Sequence, residues 1–267
     1  VLLMGDGSYD FKNKLANNTN YIPTFQSRNS TNPTYSYSSD DYYAILDDSE
    51  GYYDEALKVE GLDIGIGRIP CMNITQAKTM VDKIIHYHDP TIFGDWQNKI
   101  TLLGDDEDNG IHAFDSETAF NYVNQQEPVY NINKIYLDSY VQKSFGSGEK
   151  YPEVNLAITK AFEQGTLVFN YIGHGGPSGM ASERVVTRDE IRNWDNYDRL
   201  ALMVTATCEL SRFDDPSVDS PGELMLFNNN GGAIALVTTM RLVYISLNRQ
   251  ISARIWDDNI VKLNGGV

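Results

Sequence analysis

The stretch TLVFNYIGHGG, residues 166–176, decides how the rest of the sequence is interpreted. Its first seven residues form a nearly continuous apolar run, which is typical of a strand covered on both faces. The run ends in Gly-His-Gly-Gly, so a histidine stands where the strand opens into a turn. The chain has only 4 histidines in 267 residues. A titratable ring at this point indicates a functional edge of a parallel sheet.

Short apolar runs of the same kind recur along the chain and predict further strands. They are VLLMGDG, YYAILDD, LDIGIGRI, KITLLGDD, NKIYLDS, LALMVTATC and GAIALVTTM. Apolar residues at helical spacing predict helices in ITQAKTMVDKIIHYHDP, DSETAFNYVNQQ, YPEVNLAITKAFEQG, TRDEIRNW and SLNRQISARIWDDN. From residue 99 onward strands and helices alternate. This order predicts an α/β fold with a mostly parallel sheet flanked by helices.

The beginning of the chain is organised differently. Residues 1–70 contain fewer predicted helices and a long polar loop rich in Asn, Ser, Thr and Tyr. We therefore predict a smaller N-terminal α/β subdomain over residues 1–94 and a second subdomain over residues 95–267. The sequence opens directly in a strand-like run, so we expect a piece of a longer protein, and a missing signal peptide carries no information on secretion.

The charge balance limits the classes of partner. Lys and Arg number 21 and Asp and Glu 37, which gives a net charge of −16. Such a chain repels a phosphate backbone, so we expect no nucleic-acid partner. The acidic segment SSDDYYAILDDSEGYYDE is either a Ca²⁺ site or a solvated acidic surface. No run of about eighteen apolar residues predicts a membrane-spanning helix.

A histidine and a cysteine follow two consecutive predicted strands. His174 follows TLVFNYIG, and Cys208 ends LALMVTATC. Because crossover-linked parallel strands usually lie side by side, the two side chains are expected to face each other at one sheet edge. A thiol and an imidazole in contact form a nucleophile and acid/base pair. The N–H of Gly175 is the candidate oxyanion donor. The alternative is a core cysteine and an incidental loop histidine.

Other site types have weaker support. His86 and His88 in HYH point to different faces of a helix, so they do not form a metal pair. No G-x-S-x-G elbow, P-loop or G-x-G-x-x-G follows a predicted strand. Two cysteines, Cys71 and Cys208, do not make a disulfide framework, and we predict that Cys71 is a free structural thiol.

The quoted motifs resemble those of the gingipain family of cysteine peptidases, relatives of the caspases. The resemblance rests on NYIGHGG and VTATCELSRF, and it continues through VLLMGDGSYDFKN, DDYYAILDD, DIGIGRIP and AKTMVDKIIHYH. It therefore covers nearly the whole chain. The motifs GDGSYDF and GHGG are most similar to those of PorU-type signal peptidases, or sortases, of the type IX secretion system.

The resemblance implies a caspase-like C-terminal subdomain with Cys208 as the nucleophile and His174 as the catalytic histidine. It also implies an acid that orients the histidine, located after the strand KITLLG, and this maps to Asp106 or Asp105. The chemistry needs no cofactor, and a structural Ca²⁺ is compatible with the family. The implied substrates are the C-terminal domains of secreted cargo proteins. Outer-membrane secretion components and an anionic lipopolysaccharide are the implied partners, at the extracellular face of the bacterial outer membrane.

We therefore expect a cysteine endopeptidase, with transpeptidation as an open second outcome, that removes C-terminal domains during secretion. A non-catalytic gingipain-like scaffold or binding module of the secretion machinery is the alternative, and a general secreted endopeptidase is a third reading. The segments after both strands also predict an acid-leaning cleft rim that disfavours acidic peptides. Its charged residues are Glu183, Glu209, Asp214, Asp215, Asp219, Arg184 and Arg212.

Overall fold

A computed structural model describes residues 1–32, 34–48, 61–146 and 148–256 of the chain. These residues form two compact units, the first made of Val1–Lys78 with Phe213–Val218, and the second of Thr79–Arg212 with the chain from Asp219 onward. The predicted division at residues 94 and 95 stays a prediction. Among the described residues no helix has the length and apolarity needed to cross a membrane.

The first unit is built from short strands. They are β1 (Leu2–Met4), β2 (Phe25–Gln26), β3 (Ser38–Ser39) and β4 (Gly67–Ile69). β1 pairs in parallel with β4, and β2 pairs antiparallel with β3. Arg68 ties the unit together, because its guanidinium makes two 2.6 Å bonds to the carboxylate of Asp40.

One predicted strand of this unit is wrong. The run YYAILDD, residues 42–48, contains no strand, and a single 3₁₀ turn spans Asp41–Ala44. Only Ala44 of this turn is buried, and the Tyr43 N–H donates to the carbonyl of Asp40. Tyrosines that stay exposed cannot supply the covered face that a strand needs. The rest of the acidic segment, residues 49–55, lies outside the described residues.

The second unit alternates strands and helices as predicted. Its first half contains β5 (Lys99–Gly104), α2 (Ile111–Gln126), β6 (Asn131–Tyr136), β7 (Lys143–Phe145), β8 (Gly148–Lys150), α3 (Pro152–Gln164) and β9 (Val168–Ile172). Its second half contains β10 (Gly175–Gly176), β11 (Gly179–Met180), β12 (Val186–Thr187), α4 (Arg188–Arg192), β13 (Ala201–Ala206), α5 (Pro221–Phe227), β14 (Ala233–Val237) and α6 (Ile245–Arg254). Helix α1 (Ile74–Tyr87) precedes them.

The main sheet has five parallel strands in the order β14-β13-β9-β5-β6. The central strand β9 is buried at every position, whereas the outer strand β6 has exposed and partly buried residues and one buried residue, Ile135. This difference is expected, because helices cover both faces of the central strands while one edge of an outer strand meets solvent. The predicted α/β fold with a mostly parallel sheet is confirmed.

Helices pack on both faces of this sheet. On one face Phe162 of α3 stacks on Phe169 of β9 and on Trp194, with ring centroids 4.8 and 3.9 Å apart. On the other face Val123 of α2 and the buried Trp256 pack with the side chains of β5 and β13. Because successive strand residues point to opposite faces, β9 contributes Val168 to one core and Phe169 to the other. The catalytic candidates follow the carboxyl ends of these strands.

Candidate active site

The central strands end at the same level. Ile172 of β9 stands opposite Gly104 of β5 and Ala206 of β13. Just beyond these pairs the Gly173 N–H donates to the Ala206 carbonyl over 3.2 Å. His174 is therefore two residues past the end of one strand, and Cys208 is two residues past the end of its neighbour.

His174 and Cys208 line one small cleft at this edge. The other residues of the cleft are His112, Asp115, Ile172, Gly173, Ala206, Val243, Ile245, Asn248 and Arg249. Contact between the two loops is close, because a Cβ atom on Gly175 would lie 2.5 Å from Thr207 Oγ1. Glycine is thus required for the segment after His174 to approach the segment before Cys208.

The segment that carries Cys208, residues 207–212, is called the Cys turn here. Glu209 has a left-handed backbone with φ 48°, which turns the chain sharply after the cysteine. The turn is bound to the chain after β14, since the N–H groups of Glu209 and Ser211 donate to the carbonyls of Arg241 and Thr239. The thiol of Cys208 is half-buried, and its Sγ lies 3.7 Å from the Val243 carbonyl.

The segment that carries His174, residues 173–185, is called the His loop here. Its backbone at His174 is fixed by a buried carboxylate, because the His174 N–H donates to Asp105 Oδ2 over 2.8 Å. The His174 carbonyl accepts from the Tyr171 hydroxyl at 2.5 Å and from the Ala181 N–H at 2.8 Å. Burial raises the pKa of Asp105 to about 6. The loop thus presents the ring from a rigid backbone.

The imidazole of His174 contacts a different acid from the one predicted. Its Nε2 lies 2.8 Å from Asp108 Oδ2 and 3.3 Å from Glu107 Oε2. The hydrogen bond with His174 holds the pKa of Asp108 below its usual range. With Nε2 engaged by Asp108, Nδ1 is the ring nitrogen that remains for a thiol.

The prediction of Asp106, or of Asp105, beside the imidazole is therefore wrong. Asp105 bonds the backbone of His174, and Asp106 accepts from the Tyr151 hydroxyl over 2.7 Å. The reason lies in the turn after β5, where Asp108 and Asn109 both have φ 58°. This left-handed turn, just before α2, directs the Asp108 side chain toward His174 of the His loop.

A second imidazole stands beside the first. The rings of His112 and His174 meet edge to face with centroids 5.4 Å apart. His112 is 4% exposed, and its Nε2 lies 3.3 Å from Asp108 Oδ2. Burial lowers the pKa of His112. No sequence pattern predicted this residue, because Asp108 lies before α2 in a left-handed turn and helical spacing does not relate the two side chains.

Three carboxylates form a separate cluster, two from the turn after β5 and one from the His loop itself. They belong to Asp105, Asp106 and Glu183, and their oxygens lie within 4.8 Å of one another. Glu183 Oε2 and Asp106 Oδ1 are buried and have no hydrogen-bond partner. Burial raises the pKa of Glu183 as well. We call this set the acidic trio.

The predicted acid-leaning rim is wrong for most of its members. Glu183 is buried in the acidic trio, and Glu209 is buried in a 3.0 Å ion pair with Arg212. Asp214 and Asp215 are buried in the first unit, where they accept from Gln26 and from the Tyr9 hydroxyl. Carboxylates that are buried and paired do not form an exposed cleft wall.

The sheet thus presents a thiol and an imidazole beyond the carboxyl ends of two neighbouring central strands. The chain belongs to peptidase family C25, whose family model matches residues 1–264.

Solved structures show the same fold. The crystal structure of the Arg-specific cysteine proteinase gingipain R (RgpB) matches with a TM-score of 0.69 at 17% identity, covering 96% of this chain and 52% of that one. The complex of the Porphyromonas gingivalis RgpB pro- and mature domains matches at 0.61 and 17% identity, over 73% and 45%. A structure described as a protease matches at 0.59 and 18% identity, over 81% and 43%. The chain thus spans about half the length of these relatives. No curated protein sequence matches it.

Proposed function

We propose that this chain is the catalytic region of a cysteine peptidase in which Cys208 is the nucleophile and His174 the acid/base. The observation that carries the proposal is the placement of both side chains in one cleft, beyond the ends of adjacent parallel strands. Membership of a peptidase family supports the same chemistry.

The reaction needs only groups of this chain. The Cys208 thiol transfers its proton to His174 Nδ1, and the sulfur attacks the scissile carbonyl carbon. The C–N bond of the tetrahedral intermediate then breaks as His174 returns the proton to the leaving amine. Water or an amine attacks the thioester that remains, which gives hydrolysis or transfer. No cofactor takes part in these steps.

Gly175 is the proposed oxyanion donor. The Ala181 N–H bonds the His174 carbonyl, so these two residues form a hydrogen-bonded antiparallel pair. Such pairs alternate with non-hydrogen-bonded ones, and the next pair is Gly175 with Met180. The Gly175 N–H therefore points away from β11 and remains for the substrate. A preorganised donor of this kind stabilises a transition state by about 3 kcal/mol.

Two acids support His174 in different ways. Asp108 accepts from Nε2, which holds the ring orientation and stabilises the imidazolium that forms during the reaction. Asp105 acts through the backbone, because it fixes the His174 N–H and with it the start of the His loop. Asp108 is the proposed orienting residue, and Asp105 is a positioning residue.

Thiol labelling tests the proposal. Iodoacetamide at neutral pH should modify Cys208 rapidly, and Cys71 serves as the internal control because burial raises the pKa of its thiol. The Cys208→Ala variant should lose peptidase activity on a peptide library while keeping its unfolding temperature. Equal labelling of both cysteines, or full function of Cys208→Ala, would instead favour a non-catalytic scaffold.

The finer proposal is a signal peptidase or sortase of the type IX secretion system, which cleaves C-terminal domains from cargo at the outer cell surface. The motifs GDGSYDF and GHGG support it, because they are similar to those of that branch of the family. Outer-membrane secretion components and an anionic lipopolysaccharide are its proposed partners. Incubation with a cargo protein, with and without an added amine acceptor, separates the outcomes. A cleaved cargo that never acquires the acceptor supports hydrolysis alone.

We also propose a structural Ca²⁺ at the acidic trio. Its donors are all carboxylate oxygens, which Ca²⁺ prefers, and two of them are buried without a partner. Bound there, the ion would neutralise the three neighbouring carboxylates and link the turn after β5 to the His loop. Calcium should raise the unfolding temperature of the chain, and Glu183→Gln should remove most of that rise. An equal rise in the Glu183→Gln variant would exclude this location.

A further inference from the structure

We propose that Asp108, His112 and His174 form a zinc site that switches the peptidase off reversibly. This inference rests on the proposed role of His174 but concerns a different ligand and residue. The three side chains offer one oxygen and two nitrogens within 4.8 Å of one another.

The donor set matches zinc in type and spacing. Two imidazoles with one carboxylate and an open fourth position form a common arrangement of protein zinc ligands. Asp108 Oδ2 already lies 2.8 Å from His174 Nε2 and 3.3 Å from His112 Nε2. Ligands about 2.0–2.1 Å from a tetrahedral zinc are separated by distances of this order, so the site requires little rearrangement.

The state of His112 is an independent sign of a ligand. The side chain is 4% exposed, its Nδ1 has no hydrogen-bond partner, and its Nε2 has only the 3.3 Å contact with Asp108 Oδ2. Buried imidazoles are normally hydrogen-bonded or bound to a metal. A neutral imidazole supplies the lone pair that a metal ion needs.

The same metal explains an inhibitory effect. A zinc ion on His174 Nε2 replaces the bond to Asp108 and fixes the proton of the neutral ring on Nδ1. That nitrogen then cannot accept the thiol proton of Cys208, and the metal's charge opposes formation of an imidazolium. His112 takes no part in the proposed peptide cleavage, so it serves the metal alone.

Calorimetry on the Cys208→Ala chain tests the site without the thiol as a competing ligand. Millimolar Ca²⁺ is present throughout to occupy sites made only of carboxylates. We expect one equivalent of Zn²⁺ to bind, and His112→Gln in this background to weaken binding at least tenfold. His88→Gln, an exposed histidine elsewhere, is the matched control and should change nothing. Equal binding in all three chains would overturn the proposal.

A second measurement requires no change of His112. Co²⁺ bound to the Cys208→Ala chain should give the intense visible bands of a tetrahedral nitrogen and oxygen site, whereas a weak octahedral spectrum contradicts the proposal.

Inhibition of the peptidase is tested separately. In the otherwise unchanged chain, Zn²⁺ should inhibit peptidase activity until a chelator is added. His112→Gln should raise the inhibitory zinc concentration at least tenfold, measured relative to the activity of that variant without zinc. If the unchanged chain binds zinc but cleaves no peptide, the proposed function is refuted while the metal site is retained.

Discussion

The four consecutive acids after β5 have different partners although they follow one another in the chain. Asp105 accepts from the backbone of His174, Asp106 accepts from Tyr151, and Glu107 and Asp108 approach the imidazole. Their environments differ as much as their partners, since Asp105 is fully buried while the Asp108 side chain is 39% exposed. Each acid therefore responds differently to substitution.

Asp108→Asn should lower kcat by about tenfold with little change in KM, because the ring loses orientation and charge stabilisation. The expected loss is smaller than for a buried triad acid, since Asp108 is partly exposed and Glu107 remains nearby. Asp198→Asn is the matched control, as Asp198 pairs with the His86 ring at 2.7 Å away from the cleft. Unchanged kcat in Asp108→Asn would leave Cys208 and His174 as a pair without an orienting acid.

The residues that the sequence could identify are those attached to regular strands. His174 and Cys208 follow buried apolar runs directly, so strand pairing alone placed them at one edge. The position of Asp108 depends on three consecutive left-handed residues, Asp108, Asn109 and Gly110, and no periodic pattern encodes such a turn. His112 became recognisable only when its ring was seen against that of His174.

At the scale of elements, the catalytic geometry depends on how closely the His loop approaches the Cys turn. Gly175→Ala should reduce kcat by about a hundredfold, because its Cβ atom would lie 2.5 Å from Thr207 Oγ1 and misplace the oxyanion donor. Gly176→Ala is the matched control, since open space surrounds that position. Adding Thr207→Ala to Gly175→Ala should restore much of the activity, and a failure of this rescue would argue against a steric cause.

Helix α1 is joined to α5 through a buried lysine. Lys83 is fully buried, and its ammonium donates to the carbonyls of Leu226 and Gly231 over 2.6 and 2.7 Å. Burial lowers the pKa of Lys83 to about 7. Because the last carbonyls of α5 have no partner within that helix, the lysine caps it.

Lys83→Met should destabilise the second unit by about 3 kcal/mol, since the apolar side chain leaves several buried carbonyls unpaired. Urea unfolding measures the loss. Lys160→Met, an exposed lysine on α3, should change the free energy of unfolding by less than about 0.5 kcal/mol. A similar small change for both variants would show that water replaces the ammonium.

Strands were predicted correctly where both faces of an apolar run are buried. The prediction failed for residues 42–48, where Ala44 is the buried residue of the 3₁₀ turn. The runs of β5, β9 and β13 are apolar and almost entirely buried, so their sequence and environment agree. Tyr42 and Tyr43 are also of a residue type that favours strands, but both side chains remain exposed. The strands β10, β11 and β12 are only two residues long, and β10 and β11 contain glycines at pairing positions, so they form no apolar run that the sequence could reveal.

At the scale of the whole molecule, each unit contains a buried carboxyl whose pKa is raised to about 6, Asp6 in the first and Asp105 in the second. Burial is the main cause in both cases. A raised folded pKa means that the native state holds a proton that the unfolded state has lost between about pH 4 and 6. These groups therefore make stability fall as the pH rises through that window.

Asp6→Asn should gain stability relative to the parent chain as the pH rises from 4 to 7, by on the order of 3 kcal/mol. Asparagine does not ionise, so any cost of the amide itself is the same at every pH and cancels from the comparison. Urea-unfolding midpoints at several pH values measure the difference. Asp41→Asn, at an exposed carboxyl of the same unit, should show no such trend. A constant difference for Asp6→Asn would mean that water reaches the carboxyl.

The segment Phe213–Val218 belongs to the first unit although the chain on both sides of it belongs to the second. During synthesis the ribosome therefore releases most of the second unit before the first has all of its own residues. Asp214 and Asp215, which accept hydrogen bonds from Gln26 and Tyr9 of the same unit, are therefore among the last residues of that unit to be synthesised. Residues 1–78 therefore lack these two hydrogen-bond partners until most of the second unit has been synthesised.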